Sequence, residues 1–253
     1  MAIIKIIDFE TTSESPDSGV VIESGVWNYR VEDGEIWHGE DRLYYAEKIP
    51  PENRAIHHIS LDMVESENRF DGEGFTTWLE MDGADAIAAH NASFETLWFK
   101  PSQHVICTYK SALRVWPDLA SHSNGAVFYW LLDQGKIQPD LTLTQPTHRA
   151  GPDAYVTAWI LKALFDAGIT GKQMVAWTKE PKLLPKCPIG KFRGKPWAEV
   201  EMGFMTWMLK QPDMDPDIQW NAQREINRRD ELRAGIVSKA RAMDSNYGDP
   251  HQH

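Results

Sequence analysis

Asp8, Glu10, Glu95, His148 and Asp153 are the residues of this chain whose types and spacing could do chemistry. Asp8 and Glu10 stand two apart in Asp8-Phe9-Glu10, and Glu95 closes His90-Asn91-Ala92-Ser93-Phe94-Glu95. His148 and Asp153 stand five apart in His148-Arg149-Ala150-Gly151-Pro152-Asp153. Four carboxylates and one imidazole, brought together, are what a two-metal phosphodiester hydrolase needs. Such a site holds two divalent cations ~3.5–4 Å apart, which stabilise the attacking and leaving oxygens. Histidine is the usual base near neutral pH. No one of these short segments is specific alone. Their order, spacing and local structure make the signal.

Each acid is placed by the element that carries it. Residues 2–8 are rich in isoleucine and read as a strand. Side chains two apart on a strand share a face, so Asp8 and Glu10 point the same way. Residues 84–89 form an apolar run that feeds His90-Asn91. Asn91 is a good helix cap, which predicts a helix over residues 93–99 with Glu95 in its first turn. An acid there also suits the helix dipole without any further role. Pro152 suits the first position of a helix over residues 153–166. Asp153 then lies in the first turn and His148 on the loop before it.

The remaining pattern completes an α/β domain. Residues 20–29 and 35–45 read as strands joined at Asp33-Gly34, which with the first strand predicts an antiparallel meander. Pro50-Pro51 breaks regular structure, and Ser60 caps a short helix. Short strands and helices then alternate, and Thr170 with Gln173 forms a capping box. The expected architecture is a mixed sheet with antiparallel N-terminal strands and flanking helices. Pro181, Pro185 and Pro188 mark a linker. The expected organisation is a domain over residues 1–178, a basic element over 179–210, and a polar helix with a flexible tail over 211–253.

Bulk composition bounds the function. The 253 residues are 42% hydrophobic and 25% charged, ordinary values for a chain with a full core. The net charge is −11, which argues against a protein held to nucleic acid by its overall field. An enzyme on nucleic acid with this charge needs divalent metal and a local basic grip. Lys182, Lys186, Lys191, Arg193 and Lys195 provide one candidate, with no acid among residues 182–195. A phosphate-contacting surface and a solvated linker both fit that cluster. The two cysteines, Cys107 and Cys187, have neither disulfide-framework nor zinc spacing, which predicts reduced thiols and a cytoplasmic protein. The four isoleucines before Asp8 are too short a run for a signal peptide. No stretch approaches the ~20 apolar residues of a membrane span.

Taken together, the segments resemble the DEDDh class of 3′–5′ exonucleases. Ile56-His57-His58-Ile59 resembles the family's I-H-x-I segment, and Ala89 to Phe94 its second motif. His148-Arg149-Ala150 with Asp153-Ala154 fits H-x-A-x-x-D-A, whose histidine defines the subtype. Within the class the chain resembles the bacterial exonuclease X family over most of residues 1–210. That likeness includes residues 109–117 and the Gly190-Lys191-Phe192-Arg193-Gly194-Lys195 element. One position departs: the family usually has aspartate where this chain has Glu95. Glutamate reaches about 1.5 Å farther.

The resemblance implies a ribonuclease H-like fold and hydrolysis of the last phosphodiester at a 3′ end of DNA, single-stranded or frayed duplex. It implies two Mg²⁺ or Mn²⁺ ions, with Asp8 bridging, Glu10 and Asp153 holding one, and Glu95 supporting the other. His148 would be the general base. Phe9, Thr11, His57, His90, Asn91 and Phe94 would line the terminal-nucleotide pocket, and Lys191, Arg193 and Lys195 would contact phosphates. Core packing is the other reading of Phe94. RNA fits the motifs as well as DNA does. Glu95 also leaves open a catalytically weak nucleic-acid-binding module. A proofreading subunit that docks through the helix after Asp213 is a further reading, and the sequence identifies no protein partner.

Overall fold

The computed structural model describes residues 2–244, and side chains as far as residue 234. The tail expected from Ser245 onward lies outside the described residues. Two compact units divide at the Glu180–Pro181 junction.

The first unit is built on a five-stranded mixed sheet in the order β3-β2-β1-β4-β5. The strands are β1 (Ile3–Thr11), β2 (Val21–Arg30), β3 (Ile36–Leu43), β4 (Ala86–Ala89) and β5 (His104–Cys107). β1, β2 and β3 form the antiparallel meander, and β4 and β5 add in parallel beyond β1. Gly34, at φ 74°, makes the β2–β3 turn that Asp33-Gly34 predicts. The helices are α1 (Pro51–His57), α2 (Leu61–Val64), α3 (Gly72–Met81), α4 (Thr108–Val115), α5 (Asn124–Asp133), α6 (Ala150–Asp166) and α7 (Gly171–Lys179). This is the ribonuclease H-like arrangement expected from the sequence. The Thr170 capping box forms with both of its hydrogen bonds. Pro51 begins α1 instead of breaking the chain, because its missing N–H costs nothing at a helix start.

Alternation along β1 sorts its side chains between two cores. Ile4 and Ile6 face a core built with α5 and α6. Ile7 and Phe9 face the other core, shared with Phe75 and Leu79 of α3. Asp8 and Glu10 continue the even-numbered face, towards α6. That helix packs across β1 and β2, and its first turn sits directly on β2. Trp27 Nε1 donates to Gly151 O at 3.0 Å. Gly25 meets the backbone of the same turn: a Cβ there would fall 2.2 Å from Ala150 C. In β-sheet register Gly25 stands opposite Asp8.

The second unit has its own core of Cys187, Phe192, Trp197, Val200, Met205, Met208, Ile218 and Ala222. These residues come from a loop held by the Lys186–Pro196 bridge, from α8 (Met202–Leu209) and from α9 (Pro216–Asp244). Among the described residues, no helix is long and apolar enough to cross a membrane.

Candidate active site

Asp8 and Glu10 project from the end of β1, and Asp153 projects from the first turn of α6. Each offers a carboxylate oxygen, and the three oxygens lie within 4.8 Å of one another. Glu95 lies outside that group of three but close enough that its charge raises the Asp8 pKa. It is 3% exposed, and its Oε2 has no hydrogen-bond partner. His148 is exposed on the loop before α6, in the left-handed region at φ 57°. Its side chain and its amide both act to hold the Asp153 pKa down. The fold thus assembles the five residues that the sequence singles out.

Two details of their setting differ from expectation. No α-helix follows Asn91. Asn91 adopts φ 77°, and Glu95 opens a three-residue 3-10 turn, Glu95–Leu97. A single turn sums few peptide dipoles, so the dipole account of Glu95 is lost. The second detail is that α6 begins at Ala150, three residues before Asp153. Its first N–H is satisfied at long range: Ala150 N donates to Glu23 Oε2 at 2.9 Å. Pro152 falls at the third helical position, where its nitrogen would have no intrahelical partner in any case.

Glu23, a buried acid beside the site, is marked by no motif. It stands on β2 in register with Glu10 and is 4% exposed. Arg149 Nε donates to both of its carboxylate oxygens, at 3.0 and 2.9 Å, and Arg149 Nη2 adds a short ion pair. One buried carboxylate therefore caps α6 and grips the residue next to His148. Bidentate geometry of this kind is directional as well as strong.

Packed and buried this closely, the four carboxylates are all pushed above the usual carboxylate range. Burial, followed by repulsion from Asp153, Glu10 and Glu95, pushes Asp8 well above the carboxylate range. Burial and Asp153 push Glu10 up to about 8, against the pull of Arg149. Burial pushes Glu95 up to about 8. It also pushes Asp153 up to about 6, although the His148 side chain and amide oppose the rise. Carboxylates left short of countercharge, with an orphaned oxygen on Glu95, fit a site for divalent cations.

A stability prediction follows. Folded carboxylates here hold protons that their unfolded counterparts release above pH ~4. Their contribution to stability is therefore complete below that pH and is lost as pH rises through the folded values, towards 8 for Glu10 and Glu95. Chelated protein should melt at progressively lower temperature from pH 5 to pH 8. Mg²⁺ should raise the Tm more at pH 8 than at pH 5, measured by calorimetry. An equal Mg²⁺ effect at both pH values would show that these acids are not short of cations.

The expected pocket residues divide. Phe9 is 4% exposed, and its ring packs edge-on against Phe70, Phe75 and Phe99. It is a core residue, because the alternation that turns Asp8 and Glu10 to one face turns Phe9 to the other. His90 is also not free to meet a ligand. Its Nδ1 pairs with Thr108 Oγ1 at 3.0 Å and its Nε2 donates to His122 O at 2.8 Å. Burial lowers its pKa to about 4, so the ring stays neutral. His57 is 1% exposed and accepts from Ile59 N through Nδ1 at 3.0 Å. Burial removes it from any open pocket wall, and its Nε2 has no partner. Thr11 is buried, with Oγ1 donating to Ser13 O. Asn91 and Phe94 are half-buried on the turn that carries Glu95, and the Phe94 ring meets Trp98 edge-on. In the second unit, Lys191 pairs with Glu201 at 2.9 Å and Lys195 with Glu199 at 3.6 Å. Arg193 ends the 3-10 turn Gly190–Phe192.

Comparison with known proteins bears on this geometry. No protein-family profile and no curated protein matches the sequence. Solved structures do match. Exonuclease X in complex with 5′ overhanging duplex DNA is 29% identical, with a TM-score of 0.56 over 69% of this chain and 99% of that one. The nuclease domain of 3′hExo, a DEDDh family member bound to rAMP, is 18% identical. Its TM-score is 0.51, over 68% of this chain and 94% of that one. The chain is similar in sequence and fold to exonuclease X and shares its fold with the DEDDh nuclease domain. A full-length 3′-exonuclease shares the fold at 16% identity and a TM-score of 0.53, over 68% of this chain and 88% of that one. Likeness to these exonucleases implies use of divalent metal, and Asp8, Glu10 and Asp153 form a carboxylate cluster that could hold it. It also sharpens the one departure, since Glu95 takes the position where the superfamily usually has aspartate.

Proposed function

We propose that this chain is a DEDDh 3′–5′ exodeoxyribonuclease that removes 5′-mononucleotides from single-stranded or frayed DNA ends. The observation that carries the reading is the convergence of Asp8, Glu10 and Asp153, with His148 on the adjoining loop. Asp8, Glu10 and Asp153 would hold divalent ions, Mg²⁺ or Mn²⁺, with Glu95 supporting a second one. Bound there, the ions supply positive charge to the attacking and leaving oxygens of the phosphodiester. Mg²⁺ suits a site of few carboxylates plus substrate phosphate.

The chain's own residues do the rest. An imidazole nitrogen of His148 takes the proton from the attacking water. The His148 side chain and amide both lower the Asp153 pKa, which puts this loop beside that carboxylate. Glu23 and Arg149 fix the loop from the other side. Glu95 keeps the superfamily's negative charge on a longer arm. Phe94 and Asn91, half-buried on the Glu95 turn, remain as candidate contacts to the terminal nucleotide. Lys191, Arg193 and Lys195 serve as phosphate contacts. DNA is favoured over RNA because the 29% identical structure is a complex with duplex DNA.

The test uses 5′-labelled single-stranded DNA, 5′-overhanging duplex DNA and RNA with Mg²⁺, Mn²⁺ or chelator. The expected result is a chelator-sensitive ladder that shortens DNA from the 3′ end. Faster shortening of RNA would reassign the substrate. Absence of cleavage in either metal would overturn the enzyme reading in favour of a binding module.

A further inference from the structure

Charge is divided unequally along this chain. Residues 1–180 hold 14 basic and 27 acidic residues, net −13, whereas residues 181–253 hold 12 and 10, net +2. A unit of net −13 carries an overall field that disfavours a polyanion. The second unit contains the basic cluster.

Within the second unit, Lys191 of the basic cluster adjoins a run of aromatic rings. The loop over Cys187–Lys195 is closed by Cys187 N donating to Lys195 O and Gly194 N donating to Cys187 O, both at 2.8 Å. Gly190, at φ 61°, turns the loop against α8, and a Cβ there would fall 2.7 Å from Phe204 Cζ. Lys191 Nζ lies 4.9 Å over the Phe192 ring. Phe192 packs on Phe204 at 5.2 Å, and Phe204 stacks on Trp207 at 5.3 Å with 19° between the planes. Trp207 is 46% exposed. The acid partners of Lys191 and Lys195 are themselves more than half exposed. Such pairs hold weakly, so a phosphate can displace the acid.

We propose that this face binds single-stranded nucleic acid, with Lys191, Arg193 and Lys195 on phosphates and the Phe204–Trp207 pair stacking on a base. Single strands are favoured because they offer base faces, which a duplex buries in its own stack. The proposal deepens the exonuclease reading and rests on it only for the identity of the ligand as substrate.

The test measures anisotropy of a labelled thymidine oligonucleotide and of a blunt duplex on the full chain, in chelator so that nothing is cleaved. Trp207→Ala should weaken oligonucleotide binding about 5- to 150-fold, the worth of one stacked base. Trp207→Phe should restore most of it, and duplex binding should barely change. Replacing Lys191, Arg193 and Lys195 by Gln should lower the log–log salt slope by about 2. Unchanged oligonucleotide binding by a folded Trp207→Ala variant would overturn the proposal. Equal loss on the duplex would also overturn it, and so would an unchanged salt slope. A change in oligomeric state with binding intact would assign the face to protein docking instead. Wild-type cleavage in Mg²⁺ is scored separately, so a chain that binds without cleaving sinks the nuclease reading and leaves this one standing.

Discussion

Replacing Asp8 by asparagine is expected to lower kcat in Mg²⁺ by about 10³-fold or more while making the metal-free protein more stable. Asp8 is the hub of the acidic group. Burial raises its pKa first, followed by the charges of Asp153, Glu10 and Glu95. Asparagine keeps its shape and removes its charge. Loss of one such ligand forfeits several kcal/mol of charge stabilisation in the transition state, and ~4 kcal/mol is about 10³ in rate. The opposite sign in the chelated protein follows from the same repulsion, since relieving it favours the folded state above pH 5. Single-turnover cleavage and calorimetry in chelator check the two halves together. Activity within tenfold of wild type would remove Asp8 from the metal site. A lower chelated Tm would show that repulsion is not what raises its pKa.

The second large effect is expected at His148. Its backbone sits at φ 57°, where asparagine is tolerated better than most residues. His148→Asn therefore removes the base while keeping the loop conformation. kcat should fall about 10²- to 10⁴-fold, the usual worth of a positioned base, with little change in oligonucleotide affinity. The limb of the pH–rate profile that reports the base should vanish. Retention of that limb in the variant would assign proton removal to another group. A matched loss of affinity would instead make His148 a binding residue.

How far the sequence discloses such a site depends on the range of the forces that build it. Strand alternation is local, so Asp8-Phe9-Glu10 reveals that the two acids share a face. The same rule, carried one residue further, sends Phe9 into the opposite core. Thr170 and Gln173 cap a helix through bonds three residues apart, and the capping box forms as read. The start of α6 is a different matter. Its cap is Glu23, 127 residues away, and nothing near Ala150 announces it. The turn after β4 likewise obeys tertiary packing over propensity: Asn91 goes left-handed, and only Glu95–Leu97 coil into a 3-10 turn. The family resemblance, and no local rule, is what places His57 and His90 in the terminal-nucleotide pocket. In the fold His90 bonds to Thr108 and His122, and buried His57 accepts from Ile59 N with its Nε2 left without a partner.

Gly25 sets a tolerance for the whole assembly. It stands opposite Asp8 in the sheet and touches the Ala150–Gly151 backbone of the helix that carries Asp153. One added carbon there would lift that helix from the strand, and productive sites tolerate errors of only about half an ångström. Asp8, Glu10 and Asp153 are therefore gauged by backbone against backbone, with no slack for a gradual change in spacing. Glu95 is mounted differently, on a three-residue turn that this contact does not gauge. Variation in the acid set has an outlet at that turn and none at the strand–helix contact. That is where this chain departs from the superfamily's aspartate.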